Sequence, residues 1–275
     1  MKKFWQRLVL FGLTGAFFVS CISCSAANTA SKVPILMYHN LTNDPSAVTS
    51  MTITGERFQE DMEYLEYNGY TPLLSADLID IRAGKEAMPE RPVMITFDDG
   101  YRSNYDIAYP ILQKTGMKAV IALIGKSIRA NDNTEANRFF LKWDEAAEMA
   151  DSGLVELASH TYNLHNPQYG GLTAPDGING IMREKGESQS QYTERVGNDL
   201  AQSISLIKQH TGQTTVNYFS YPYGAYDRWM QPILEKNGIK ISTLTNAGMA
   251  RPTYGLYNLP RSGIRMDRTV PMVLR

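Results

Sequence analysis

Val93-Met94-Ile95-Thr96-Phe97-Asp98-Asp99-Gly100 decides the reading of this chain. A run of mostly apolar residues ends abruptly in two adjacent carboxylates and a glycine. Apolar runs of this length, bounded by a turn residue, read as core strands. Side chains alternate across a strand, so Asp98 and Asp99 are expected to leave its end in different directions. One carboxylate can then hold a metal while the other handles a proton. An isolated Asp-Asp-Gly is more often a strand end running into a solvated turn. What changes the balance lies further along, at His160 and His165.

On both sides of that strand, strand and helix patterns alternate. Val33 to Tyr38 reads as a first strand. Phe58, Met62 and Leu65 fall on one face of a helix, with Gly69 as its stop. Ile107 to Lys114 is helical and ends at Gly116; Lys118 to Ile124 is a strand. A helix from Trp143 to Met149 precedes a strand, Val155 to Ser159, that delivers His160. Residues 166–190 are glycine-rich and polar and read as a long loop or insertion. Glu194 to His210 is a helix with Leu200, Ile204 and Ile207 on one face. Tyr218 to Tyr221 is a strand entering Pro222-Tyr223-Gly224; a helix over 228–237 and a strand over 240–244 follow. This alternation predicts a parallel α/β sheet, open or closed into a barrel.

Composition narrows the function. A formal net charge of −1 and a pI near 6.4 give no polyanion-binding surface, so nucleic acid is not an expected partner. With 275 residues, 43% of them hydrophobic, the chain can bury a full core, and a single domain is expected. The first 27 residues read as a secretory or lipoprotein signal. Lys2, Lys3 and Arg7 precede an uncharged apolar stretch from Leu8 to Val19, and Ser23 to Ala27 are small. The apolar stretch is short against the roughly 20 residues of a stable span, though it leaves room for an uncleaved anchor. Both cysteines, Cys21 and Cys24, lie in this segment, so the body of the protein has no internal disulfide. Each follows a serine, a loose likeness to a bacterial lipobox, but neither has the usual leucine three residues upstream. Residues 28–32 read as a linker, and residues 33–275 as the single domain. The expected location is outside the cytoplasm, secreted or attached through the N-terminus to the outer membrane face, as a monomer.

His160-Thr161-Tyr162-Asn163-Leu164-His165 begins where a predicted strand ends, the place where α/β folds put their chemistry. Two histidines in one loop carry weight in a chain that has only four. A catalytic zinc takes three protein ligands and keeps an open position, which one carboxylate and two imidazoles satisfy. Bound metal lowers the pKa of water to about 7, and a second carboxylate can accept its proton. Two histidines and one carboxylate also suit a non-haem iron oxygenase. The adjacent second aspartate favours hydrolysis.

These residues resemble a known family. Thr96 to Gly100 is similar to the first motif of the polysaccharide deacetylases, carbohydrate esterase family 4, and His160 to His165 to the second. The longer spacing of the two histidines resembles the exported biofilm deacetylases that act on poly-β-1,6-N-acetylglucosamine. Phe219 to Gly224 resembles the third motif, and Val33 to His39, Trp143-Asp144 and Leu259-Pro260-Arg261 extend the likeness over residues 33–265. The resemblance implies a distorted (β/α)7 barrel, NodB-like, that removes N-acetyl groups from a glycan. It implies Asp98 as general base and Asp99, His160 and His165 as ligands of a divalent metal: zinc first, with cobalt, nickel or iron as alternatives. It also implies an oxyanion contact from the Tyr223 backbone N–H, and substrate contacts from Trp143, Tyr221 and Pro222. Two departures stand out. Ser220 occupies the place of an arginine that partners the base, and no Leu-x-His near the C-terminus supplies a general acid. Arg261 is the candidate replacement cation beside Asp98, and His39 the candidate substitute acid. His210 has no assigned role. Two other readings stay open: an O-acetyl esterase on another polymer, and a surface protein that binds glycan with little turnover.

Overall fold

The computed structural model describes residues 32–128, 138–165 and 180–274. The expected signal over 1–27, most of the linker and residues 166–179 of the expected loop lie outside the described residues. The chain runs through β1 (Val33–Tyr38), β2 (Asn40–Thr42), β3 (Thr52–Thr54), α1 (Gly55–Tyr67), β4 (Thr71–Pro72) and α2 (Ser75–Arg82). It continues with β5 (Pro92–Phe97), α3 (Tyr109–Thr115), β6 (Ala119–Leu123), α4 (Trp143–Asp151) and β7 (Val155–Ser159). The last elements are α5 (Gln189–Thr211), β8 (Tyr218–Ser220), α6 (Met230–Lys236), β9 (Ile241–Thr243), β10 (Met249–Ala250), β11 (Ser262–Gly263) and α7 (Val270–Val273). No helix among the described residues is long and apolar enough to cross a membrane.

Six strands lie side by side and parallel in the order β1-β5-β6-β7-β8-β9. The stretch 259–263 touches both outer strands of this row. Leu259 bridges Thr243 of β9, and Ser262 and Gly263 pair with Leu36 and Met37 of β1. One short, irregular piece of chain therefore closes the sheet into the distorted barrel that the family resemblance implied, with Arg261 at the seam.

Alternation along the strands sorts the core into two layers. Ile35, Met94, Val120, Ala122, Ala158, Tyr218 and Ile241 share one buried cluster that draws on six strands and so fills the barrel. Their neighbours Leu36, Ile95, Ile121, Leu157 and Phe219 join the outer cluster with the helices, including Phe58, Met62 and Leu65 of α1. Leu78 of α2 belongs to the inner cluster, and Glu156 of β7 accepts from the Ser75 backbone N–H at 2.8 Å, holding α2 against the barrel. Both polar strand ends at the site obey the same alternation: Asp98 continues the inward parity of Met94 and Thr96, and Ser220 that of Tyr218.

The helix expected from Glu194 begins five residues earlier, at Gln189. Ser188 and Gln191 form a capping box there, and the first apolar contact comes only at Tyr192, so an apolar stripe could not reveal the start. Residues 180–188 of the expected loop are tied down. Tyr192 donates to the Ile181 carbonyl at 3.0 Å, and Arg195 donates to the Gly180 and Met182 carbonyls at 2.7 and 2.9 Å.

Candidate active site

Four non-glycine residues among those described have a left-handed backbone: Asp99, Thr161, Tyr223 and Asn258, with φ of 76, 74, 58 and 59°. The first three closely follow β5, β7 and β8 at their C-terminal ends, and Asn258 opens the stretch that carries Arg261. Such conformations cost about 1–3 kcal/mol each and persist where the surroundings over-determine them. Gly100 completes the first turn at φ +79°, a left-handed conformation that favours glycine, and a Cβ there would also press on the Leu123 and Ile128 side chains at 2.8 and 3.0 Å.

These turns bring Asp99, His160 and His165 together. Asp99 Oδ1 lies 3.5 Å from His160 Nε2 and 3.4 Å from His165 Nε2. The ligand atoms of all three residues fall within 4.8 Å of one another. Bonds of about 2.1 Å to a tetrahedral zinc put neighbouring ligand atoms about 3.4 Å apart, so both distances to Asp99 match that geometry. Asp99 Oδ1 is also buried without a hydrogen-bond partner, and burial raises the Asp99 carboxyl above its ordinary value. A cation is the group that would satisfy it. His160 Nδ1 lies 2.8 Å from the Ser220 carbonyl, which takes the Nδ1 proton and leaves the Nε2 lone pair facing Asp99. Burial pushes His160 down to about 4 and lowers His165, so both rings are neutral at pH 7, the form that binds metal. The residues present fit a divalent metal.

Asp98 points the other way, into the barrel. Arg261 grips it through two bonds, Nη1 to Oδ1 at 2.8 Å and Nη2 to Oδ2 at 2.6 Å. Ser220 Oγ donates to Oδ2 at 3.0 Å and accepts from Arg261 Nη2 at 2.9 Å. The guanidinium is fully buried and is held from behind by the Leu244 carbonyl at 2.9 Å and Thr96 Oγ1 at 3.2 Å. Burial alone would raise the Asp98 carboxyl. The Arg261 charge overrides it and holds Asp98 well below the usual carboxylate range. Ser220 and Arg261 together thus occupy the place of the missing motif arginine. The contact joins residues 163 apart in the chain.

His39 follows β1 and sets its Nε2 4.0 Å from Asp98 Oδ2. Burial pushes it down to about 4, so it is neutral at rest. Tyr223 is partly exposed, with its hydroxyl 3.1 Å from His165 Nδ1 and its ring 4.5 Å from the imidazole. A cleft of about 290 Å³ opens beside this pair, lined by Lys126, Ser127, Phe140, Asn163, His165 and Tyr223 among others.

Of three expected substrate contacts, Tyr221 and Pro222 lie inside, and Trp143 is mostly covered at the edge of a cleft it lines with Lys126, Tyr162 and His210. Tyr221 is fully buried, edge-on to Phe219 at 5.1 Å and Tyr226 at 5.7 Å, because its parity on the strand faces the helices. Pro222 is buried as well. Trp143 is buried to 6% exposure and stacks flat on His210 at 4.6 Å, which gives that histidine a packing partner. Motif reading also passed over Tyr101, whose hydroxyl donates to the Asp99 carboxylate, and Asp199, which grips the histidine loop from α5. The Asp-Asp-Gly-Tyr order hinted at the first; nothing in the sequence pattern pointed to the second.

The polysaccharide deacetylase family profile matches residues 85–242, more than half of the 275. The chain belongs to this family. Among curated relatives, the poly-β-1,6-N-acetyl-D-glucosamine N-deacetylase of Escherichia coli (strain K12) is 30% identical over 260 residues. That match covers 87% of this chain and 36% of the relative, so the chain spans about a third of that protein's length. Among solved structures, a de-N-acetylase from Aggregatibacter actinomycetemcomitans superposes with a TM-score of 0.74 at 25% identity, covering 89% of this chain and 99% of that one. The deacetylase domain of BpsB from Bordetella bronchiseptica gives a TM-score of 0.68 at 29% identity, covering 86% and 97%.

Proposed function

We propose that this chain is a metal-dependent hydrolase that removes N-acetyl groups from an extracellular or cell-wall polysaccharide of N-acetylglucosamine type. The observation that carries the reading is the meeting of Asp99 Oδ1 with two imidazole Nε2 atoms at 3.4 and 3.5 Å, beside a second carboxylate locked in its ionised form. The names of the E. coli relative and of the two solved neighbours support the class of bond and, in the first case, the polymer.

Asp99, His160 and His165 would hold the metal, zinc first, with cobalt, nickel or iron as alternatives. When bound, it supplies Lewis-acid polarisation of the acetamide carbonyl and makes hydroxide available at neutral pH. The rest falls to the chain's own groups. Asp98 takes a proton from the attacking water. The Tyr223 backbone N–H donates to the oxygen on which charge develops. Asp98 is a weaker base than His39, so the proton is better held on His39 Nε2, 4.0 Å away. From there it passes to the leaving nitrogen, and acetate departs from a sugar that now carries a free amine. This route gives His39 the acid's role although it is neutral at rest.

The N-terminal residues support export, to a secreted form or to attachment at the outer membrane face, where such a polymer lies. A panel assay tests the reading. Metal-loaded protein is expected to release acetate from poly-β-1,6-N-acetylglucosamine and not from acetylated xylan. Release from xylan alone would turn the assignment to an O-acetyl esterase. Retention of the glycan without acetate release would turn it to a binding protein.

A further inference from the structure

The loop that carries both metal-facing histidines is gripped by one helix that has no motif of its own. Asp199, half-buried on α5, accepts from two successive backbone N–H groups: Tyr162 N to Oδ1 and Asn163 N to Oδ2, both at 2.8 Å. One turn further along the same helix face, Ser203 Oγ lies 2.8 Å from Ser159 Oγ, which accepts from the Thr161 N–H at 3.2 Å. Between these two holds sits Thr161, a β-branched residue at φ 74°, where such residues are rarely found. The other side of the loop is fastened by the backbone: Gly125 N donates to the Thr161 carbonyl at 3.0 Å, and Lys126 N to the Tyr162 carbonyl at 2.9 Å.

The two histidines do not need this grip equally. His160 is fixed directly by the Ser220 carbonyl. His165 has the weaker contact, to the partly exposed Tyr223 hydroxyl, and lies beyond the two clamped amides. Its distance from Asp99 therefore depends on how the 161–164 backbone is held. We infer that Asp199 is a positioning residue for the metal centre, setting His165 at ligand distance by clamping the Tyr162 and Asn163 amides. It touches neither metal nor substrate. The inference rests on the reading that Asp99, His160 and His165 hold a metal.

The test is titration of metal-free protein with Co²⁺, followed by its visible absorption, with thermal unfolding of the metal-free forms alongside. Wild type is expected to bind, and His160→Ala to lose binding. Asp199→Asn keeps the side-chain shape but turns an NH₂ group toward one amide donor. It is expected to bind Co²⁺ roughly 10–100-fold more weakly, the usual effect of losing an outer-shell partner, with an altered absorption band and a metal-free unfolding midpoint near wild type. Asp199→Ala is expected to be at least as weak. Asp199→Asn with wild-type affinity and band, in a wild type that binds, overturns this inference alone. So does a loss of affinity that comes with an equal loss of metal-free stability in both variants, since that is general destabilisation. A wild type that takes up no Co²⁺ overturns the metal reading and this inference with it.

Discussion

At the scale of single residues, the work is divided between two neighbours in sequence. Asp99 turns to the histidines because its backbone is left-handed, and Asp98 keeps the inward parity of β5 and meets Arg261. The division was legible in the Asp-Asp-Gly pattern; the pairing with Arg261 was not legible from spacing, because only the barrel seam brings the two together. Asp98→Asn is expected to leave metal content near normal and to cut turnover about 10²–10⁴-fold, the range for a lost general base. It also strands a buried guanidinium, so unfolding stability should fall by about 3–5 kcal/mol. Metal stoichiometry, acetate release and denaturant unfolding read the three effects separately, and loss of metal would reverse the assigned roles. Arg261→Met exposes the opposite half of the pair. With the guanidinium present, Asp98 stays ionised to far below the ordinary carboxylate range and sets no acidic limb near neutrality. Without it, burial raises the carboxyl, and the acidic limb of the kcat/KM profile moves to higher pH. An unmoved limb means that Asp98 is not the base.

At the scale of elements, apolar patterning found the central strands and five of the helices, and missed α2, α7 and the short peripheral strands. Phe58, Met62 and Leu65 marked α1, but β2, β3, β4, β10 and β11, of two or three residues each, carry no apolar run of their own. Nor did the apolar stripe reveal Asp61, fully buried beside it. Asp61 accepts from Tyr38 Oη at 3.1 Å and from Val270 N at 3.4 Å, and so ties α1 to β1 and α7. Burial pushes its carboxyl up to about 6, with Arg57 at 3.7 Å pulling the other way. The native state therefore binds a proton that the unfolded chain, with an ordinary value near 3.9, has released. Stability should fall as pH rises from about 4 to 6, and Asp61→Asn should flatten that slope in urea titrations. A slope unchanged in the variant assigns the effect elsewhere. The turn after β8 makes a second demand. Gly224 has φ +71°, and a Cβ there would meet Thr245 at its side chain and, at 3.0 Å, its backbone nitrogen. Gly224→Ala is expected to cost at least about 1–3 kcal/mol and to lower turnover by shifting Tyr223. Thermal unfolding and acetate release check both.

At the scale of the whole molecule, the barrel is the device that converts distant motifs into one site. Alternating strand and helix patterns made the α/β class legible, because parallel strands buried on both faces show as unbroken apolar runs. Closure was less legible, because it depends on 259–263, a stretch with no strand pattern, lying between β9 and β1. The expected groove residues Tyr221 and Pro222 went inside because motif likeness carries no information on strand parity at a turn. Closure puts Arg261 against Asp98, the β5 and β7 turns put Asp99 against the histidines, and the two centres share the C-terminal rim. On the proposed function, this rim holds one divalent metal and uses it to hydrolyse an acetamide. The most direct measurement is acetate released from poly-β-1,6-N-acetylglucosamine by protein stripped with a chelator and then reloaded with one equivalent of zinc, with Asp99→Ala carried in parallel. The stripped protein is expected to release none, a single equivalent to restore release, and Asp99→Ala to release none at that loading. Release that survives stripping, or that Asp99→Ala retains, would contradict the proposed function.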